Sequence, residues 1–182
     1  MKAKRGLVIT VAGPHGSGRS TQATKLAEVF SLRYVSTGTL FRERAQQLGV
    51  SLEEMTRIAT GDDAFDRFLD DRAKEETRKG GVVLDATLSG WVAVKPDLRI
   101  YLTAPLDVRV KRIAGRENRD VREVEKETTL RERNELERFR RYYDFDLSDL
   151  SIYDVILNTE HFDADIVANI LKNVVEAYMV AR

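Results

Sequence analysis

The stretch that decides the fold runs from Leu7 to Thr21 and reads LVITVAGPHGSGRST. Its first part, Leu7 to Ala12, is an unbroken β-branched and apolar run, the pattern of a strand covered on both faces within a parallel sheet. The part that follows satisfies the spacing G-x-x-x-x-G-[K]-[ST] at Gly13, Gly18 and Ser20, with Arg19 where lysine is usual. A strand entering such a turn and a helix leaving it gather backbone N–H groups and the positive end of a helix dipole around one point, while the glycines let the chain turn tightly. Gly13, Pro14, His15, Gly16, Ser17, Gly18, Arg19, Ser20 and Thr21 are therefore expected to cradle the phosphates of a nucleotide such as ATP. Arg19 would contact the β- and γ-phosphates, and the Ser20 hydroxyl is a candidate Mg²⁺ ligand.

Further strand-like runs lie at Arg33–Ser36, Val82–Asp85, Leu98–Leu102 and Val155–Leu157. Between them, helical spacing is found over Ser20–Phe30, Leu40–Leu48, Leu52–Ile58, Ala64–Lys79, Leu106–Ala114, Val121–Tyr142 and Ala164–Val180. Strands alternating with helices predict an α/β fold, a three-layer arrangement around a five-stranded parallel sheet. Asp85 ends the run VVLD, at the carboxyl end of a strand that faces the ligand crevice of such a sheet, and is a second candidate for the metal.

About 45 residues separate the second and third strands, more than one crossover helix needs, so a helical insert is expected there. The segment from Arg109 to Arg141 is dense in both charge signs and poor in large apolar residues. For any single residue in it the favoured reading is a solvated helical face with i,i+4 ion pairs; the functional alternative is a lid that brings arginines to phosphates. His15 reads as a variable loop position, and neither it nor His161 is given a catalytic role.

With 182 residues the chain fits one domain spanning residues 1–182. Basic and acidic residues balance at 30 each, which gives no net field toward nucleic acid or an anionic membrane, so any anion site is local. The absence of cysteine excludes thiolate catalysis and cysteine-bound metals and suits a reducing compartment, and the apolar run near the amino terminus is too short for a signal peptide or a membrane span. A cytoplasmic protein is expected.

In order along the chain, GPHGSGRST, VSTGTLFRERAQQLGVSLEE, FDRFLDDR, VVLDATLSGW, LTAPLDVRVKRIAGRE and DLSIYDVILNT resemble the archaeal-type cytidylate kinases, within the nucleoside monophosphate kinases of the P-loop superfamily. The resemblance implies a core of about 1–37, 81–115 and 145–182, an acceptor-binding insert of about 38–80 and a lid of about 116–144. It implies ATP and a nucleoside monophosphate, CMP or dCMP foremost, as substrates, with Mg²⁺, in a monomer or weak homodimer. Thr37, Gly38 and Arg42 would approach the acceptor phosphate, and Asp66 and Asp70 would help to hold the nucleoside. Arg112, Arg116, Arg131 and Arg138 would be the lid arginines, with Arg116 and Arg131 joining Arg19 at the transferring phosphoryl. Asn158 and Thr159 would lie near the adenine.

Two positions depart from the family pattern. Arg19 replaces the loop lysine, and Thr87 stands where an arginine is expected to grip the acceptor phosphate. A kinase of the same architecture for another small acceptor, and a nucleotide-binding module with little transfer activity, are the alternatives these departures raise.

Overall fold

Val8–Ala12 forms β1, buried at every position, and its place at the centre of the sheet suits a strand whose residues are apolar apart from Thr10. The computed structural model describes residues 6–51, 54–55, 63–143 and 146–181, leaving aside the side chains of 63–66, 138 and 142. After β1 come α1 (Arg19–Val29), β2 (Arg33–Ser36), α2 (Thr37–Leu48), α3 (Asp63–Lys79), β3 (Val82–Asp85), α4 (Ser89–Val92), β4 (Leu98–Thr103), α5 (Leu106–Glu117), α6 (Val121–Tyr142), β5 (Val155–Asn158) and α7 (Ala164–Ala181).

The five strands lie in the order β2-β3-β1-β4-β5, and every neighbouring pair is parallel. This is the expected three-layer α/β fold. The chain goes from β1 to one edge through β2 and β3, then crosses to the other side through β4 and β5, so the strand order reverses at β1. The crevice beyond its carboxyl end is where such sheets bind ligands.

Alternation along the strands sends residues to two cores. Ile9, Val11, Val83, Ile100 and Leu102 pack against Leu26 of α1 and Val167, Leu171 and Val175 of α7. On the opposite face Val8, Val82 and Leu84 meet Leu40, Ala73, Leu88, Val92 and Phe139. Truncating a fully buried Ile9 or Leu171 to alanine would cost about 2–5 kcal/mol in lost transfer energy and residual cavity.

The predicted elements other than the helix over Leu52–Ile58 are found, with changes at their ends. Helix α2 starts earlier than its apolar spacing suggests, because Ser36 and Thr39 form a reciprocal capping box: Ser36 Oγ accepts from Thr39 N at 3.1 Å and Thr39 Oγ1 accepts from Ser36 N at 2.9 Å. Helix α5 runs to Glu117 and stops at Asn118, which is left-handed with φ 51°. The short α4 was not expected from the sequence. The helix expected over Leu52–Ile58 lies mostly outside the described residues. Among the described residues no helix is long and apolar enough to cross a membrane.

Candidate active site

The loop after β1 owes its course to three glycines with positive φ: Gly13 at 142°, Gly16 at 79° and Gly18 at 91°. At two of them there is also no room for a side chain. A Cβ on Gly13 would stand 2.1 Å from the Leu102 carbonyl oxygen, and one on Gly16 would stand 2.6 Å from the Arg109 carbonyl oxygen. The loop is thus pressed onto β4 from one side and onto α5 from the other before it enters α1.

A cavity of about 410 Å³ opens beside it. Gly16, Gly18, Arg19, Ser20 and Thr21 line it from the loop, Tyr34 and Asp85 from the strand ends, Thr37, Gly38 and Arg42 from the first turns of α2, and Arg116 and Arg131 from α5 and α6. Segments far apart in sequence therefore deliver arginines, hydroxyls and two helix amino termini to one space, a setting suited to polyanions. Arg116 and Arg131 are exposed, paired with Glu117 at 2.7 Å and Glu135 at 3.1 Å.

Arg19 is turned across the loop. Its Nε donates to Asp85 Oδ1 at 2.5 Å and its Nη1 donates to the Gly13 carbonyl at 2.7 Å and to Thr87 Oγ1 at 3.2 Å. The other Asp85 oxygen accepts from the Tyr34 hydroxyl at 2.8 Å. Burial, and then the Asp85 charge, push the Tyr34 hydroxyl above its ordinary pKa, which keeps it a donor. Each Asp85 oxygen retains a lone pair beyond these bonds. Together with the exposed Ser20 hydroxyl, this donor set suits Mg²⁺ that keeps waters and phosphate oxygens as its remaining ligands. Among the described residues no cluster of three or more acidic or histidine side chains would hold a metal by protein ligands alone.

A second cavity of about 310 Å³ lies behind the loop, between Arg112 and the chain from Thr159 to Val167. Arg112 donates through Nη1 to Thr159 Oγ1 at 2.9 Å and through Nη2 to the Thr159 carbonyl at 2.6 Å. Thr159 is buried and also bonds to the Ser17 carbonyl at 3.0 Å, which ties this wall to the loop. Asn158 does not line the cavity; its side-chain oxygen caps Glu160 N at 2.9 Å.

Asp70 is likewise away from the larger cavity and accepts a hydrogen bond from the Tyr143 hydroxyl. The side chains of Asp66 and Arg138 are outside the described residues.

The solvated-face expectation holds for Arg133 with Glu137, an exposed i,i+4 pair, and fails for Arg109. Arg109 is 7% exposed and lies against the loop, bonded to Glu132 of α6. His15 is engaged by α6 as well: its ring Nε2 lies 3.0 Å from Glu135 Oε2. The sequence carried a signal for Arg109, since it falls on the apolar stripe Leu106, Val110, Ile113 of α5, where a charge must find a buried partner. His15, Glu132 and Glu135 come together only through the tertiary fold and left no such signal.

A family model described as an AAA domain matches residues 12–131. The chain is 45% identical to a cytidylate kinase of Staphylothermus marinus over 174 residues, covering 95% of this chain and 98% of that one. It is 41% identical to a cytidylate kinase of Haloarcula marismortui, covering 94% and 91% of the two chains, and 38% identical to one of Methanocaldococcus jannaschii, covering 93% and 98%. Among solved structures, the fold is shared with an uncharacterized protein from Eubacterium ventriosum at a TM-score of 0.70 and 16% identity, over 93% and 98% of the chains. It is also shared with a shikimate kinase from Acinetobacter baumannii at 0.62 and 15%, over 94% of each chain.

Proposed function

The chain belongs to the cytidylate kinase family, and from that premise we propose that it transfers the terminal phosphoryl group of ATP to CMP or dCMP. The observation that carries this reading is the larger cavity, where the phosphate loop, the amino terminus of α2 and the arginines of α5 and α6 face one another.

In this reading the loop N–H groups and the start of α1 hold the donor phosphates, and the cavity between Arg112 and Thr159 takes the adenine. Thr37, Gly38 and Arg42 receive the acceptor phosphate at the start of α2. The acceptor is already an anion, so no general base is required. One of its oxygens attacks the γ-phosphorus, the bond to the bridging oxygen of the β-phosphate breaks in line, and ADP departs with the bonding electrons. Catalysis then consists of alignment and of neutralising charge on the transferring group, the work given to Arg116 and Arg131. Mg²⁺, held near Ser20 and Asp85, would neutralise charge on the β- and γ-phosphate oxygens. Residues of about 38–80 form the acceptor insert and those of about 116–144 the lid, whose closure excludes water.

A coupled assay over a panel of monophosphates tests the reading. The highest kcat/KM is expected with CMP or dCMP, and no turnover of any pyrimidine monophosphate would overturn it. Thr87 favours a second reading, a kinase for another small acceptor, because it leaves the end of β3 without the arginine the family pattern offers there; preference for a purine or non-nucleotide acceptor in the same panel would select it.

A further inference from the structure

His15 is held at each of its three hydrogen-bonding groups by α5 and α6. Its N–H donates to Glu132 Oε1 at 3.0 Å, its carbonyl accepts from Arg109 Nη1 at 2.8 Å, and its ring lies on Glu135. Arg109 is the centre of this arrangement. Its Nε donates to the Ala104 carbonyl at 3.0 Å, and its fork meets Glu132 at 2.5 Å through Nη1 and at 3.3 Å through Nη2. The guanidinium is thereby fixed from below by the chain end of β4, from the side by α6, and it reaches the loop with one remaining bond.

That bond has a directional consequence. A trans peptide points its C=O and its N–H to opposite sides, and no peptide among the described residues is cis. By gripping the His15 carbonyl, Arg109 turns the Gly16 N–H away from itself, and Gly16 lines the cavity into which the loop faces. With φ of 79° and no Cβ, Gly16 has the backbone freedom to let this peptide rotate, so the local chain does not fix its orientation unaided.

We infer that Arg109 is a positioning residue that aims the Gly16 N–H at the donor phosphates without touching the nucleotide, its guanidinium held in place by Glu132. This rests on the reading of the loop as the donor phosphate cradle. Lysine could not replace it, because a single ammonium on a flexible stem cannot serve the Ala104 carbonyl, the His15 carbonyl and both Glu132 oxygens in fixed directions.

The test is calorimetric titration of ADP, without CMP, into the full chain and its variants, beside thermal unfolding of each. Arg109→Met is expected to weaken ADP by about tenfold, the loss of one well-aimed donor to an anion, and to lower Tm because Glu132 loses its charged partner and keeps only the His15 N–H. Arg109→Met combined with Glu132→Met removes both charges. Replacing this partly buried ion pair by apolar side chains removes the unpaired charge while the His15 N–H loses its acceptor, so Tm should recover in part while ADP stays about tenfold weak. Arg109→Lys should resemble Arg109→Met in affinity. ADP affinity that returns with Tm in the double variant, or is unchanged in Arg109→Met, would overturn the inference. A failure of the cradle reading is distinguishable, because the unaltered chain would then not bind ADP.

Discussion

Arg19 and Asp85 form an ion pair of 2.5 Å inside the protein, with the arginine side chain 13% exposed and the aspartate 2%. The loop residue expected to reach outward to phosphates is instead engaged with the end of β3, and through Nη1 with Thr87, the position where an arginine was expected. The two positions that depart from expectation are in contact. One guanidinium stands between the loop after β1 and the end of β3.

Removing Arg19 leaves the Asp85 carboxylate buried with the Tyr34 hydroxyl as its remaining described donor, so Arg19→Ala should cost about 3 kcal/mol of stability. Asp85→Ala should be costly for the mirror reason. The double variant should lose clearly less than the sum of the singles, which urea unfolding of all four proteins measures. Additive losses would mean that the pair does not couple in solution.

The loop glycines should differ in their tolerance of a methyl group. Gly13→Ala places a Cβ 2.1 Å from backbone that cannot give way, at a φ of 142°, and should abolish ADP binding or folding outright. Gly18→Ala meets nothing within 4 Å, so its cost is the positive φ alone, about 1–2 kcal/mol. Thermal unfolding with and without ADP separates the two. Equal losses would show that steric crowding at Gly13 is relieved by movement of β4.

Arg116 and Arg131 are 70% and 62% exposed, so their ion pairs with Glu117 and Glu135 contribute at most about 1 kcal/mol each. Alanine at either position should leave Tm within a few degrees. If they neutralise charge on the transferring phosphoryl, each substitution should lower kcat by about a hundredfold or more. Steady-state kinetics with saturating CMP and ATP decides it, and an arginine whose loss leaves kcat unchanged has no such role.

The fold was legible in the sequence where one short pattern carried both strand and turn: LVITVA followed by spaced glycines left few alternatives for β1, the loop and α1. The helical insert was legible from length alone. In the site, Thr37, Gly38 and Arg42 come to the cavity because the Ser36–Thr39 capping box starts α2 there, a local signal. Arg109 is legible only from its place on the apolar stripe of α5, because composition averages a buried arginine with the exposed charges around it. The direction of the Arg19 side chain depends on β3 lying beside β1, with Val11 opposite Asp85, a pairing between segments far apart in sequence.

Glu135 offers a readout of the contact between α6 and the loop. Burial disfavours its ionised form, but the hydrogen bond and charge of His15, with help from Arg131, outweigh burial and hold the carboxyl below its ordinary 4.5. The unfolded chain therefore binds the proton more readily than the folded one as pH falls. The stabilisation is fully present above about pH 5 and is lost as pH drops through the lowered folded value. Glu135→Gln should remove that portion of the acid limb, so the difference in unfolding free energy between the unaltered chain and the variant shrinks with falling pH. His15→Ala should shift the Glu135 carboxyl upward, because the burial that opposes its ionised form stays while the His15 hydrogen bond that favours it goes. Carboxyl carbon chemical shifts followed by NMR titration measure this directly. A Glu135 resonance that titrates identically with and without His15 would show that the loop and α6 do not touch through this pair.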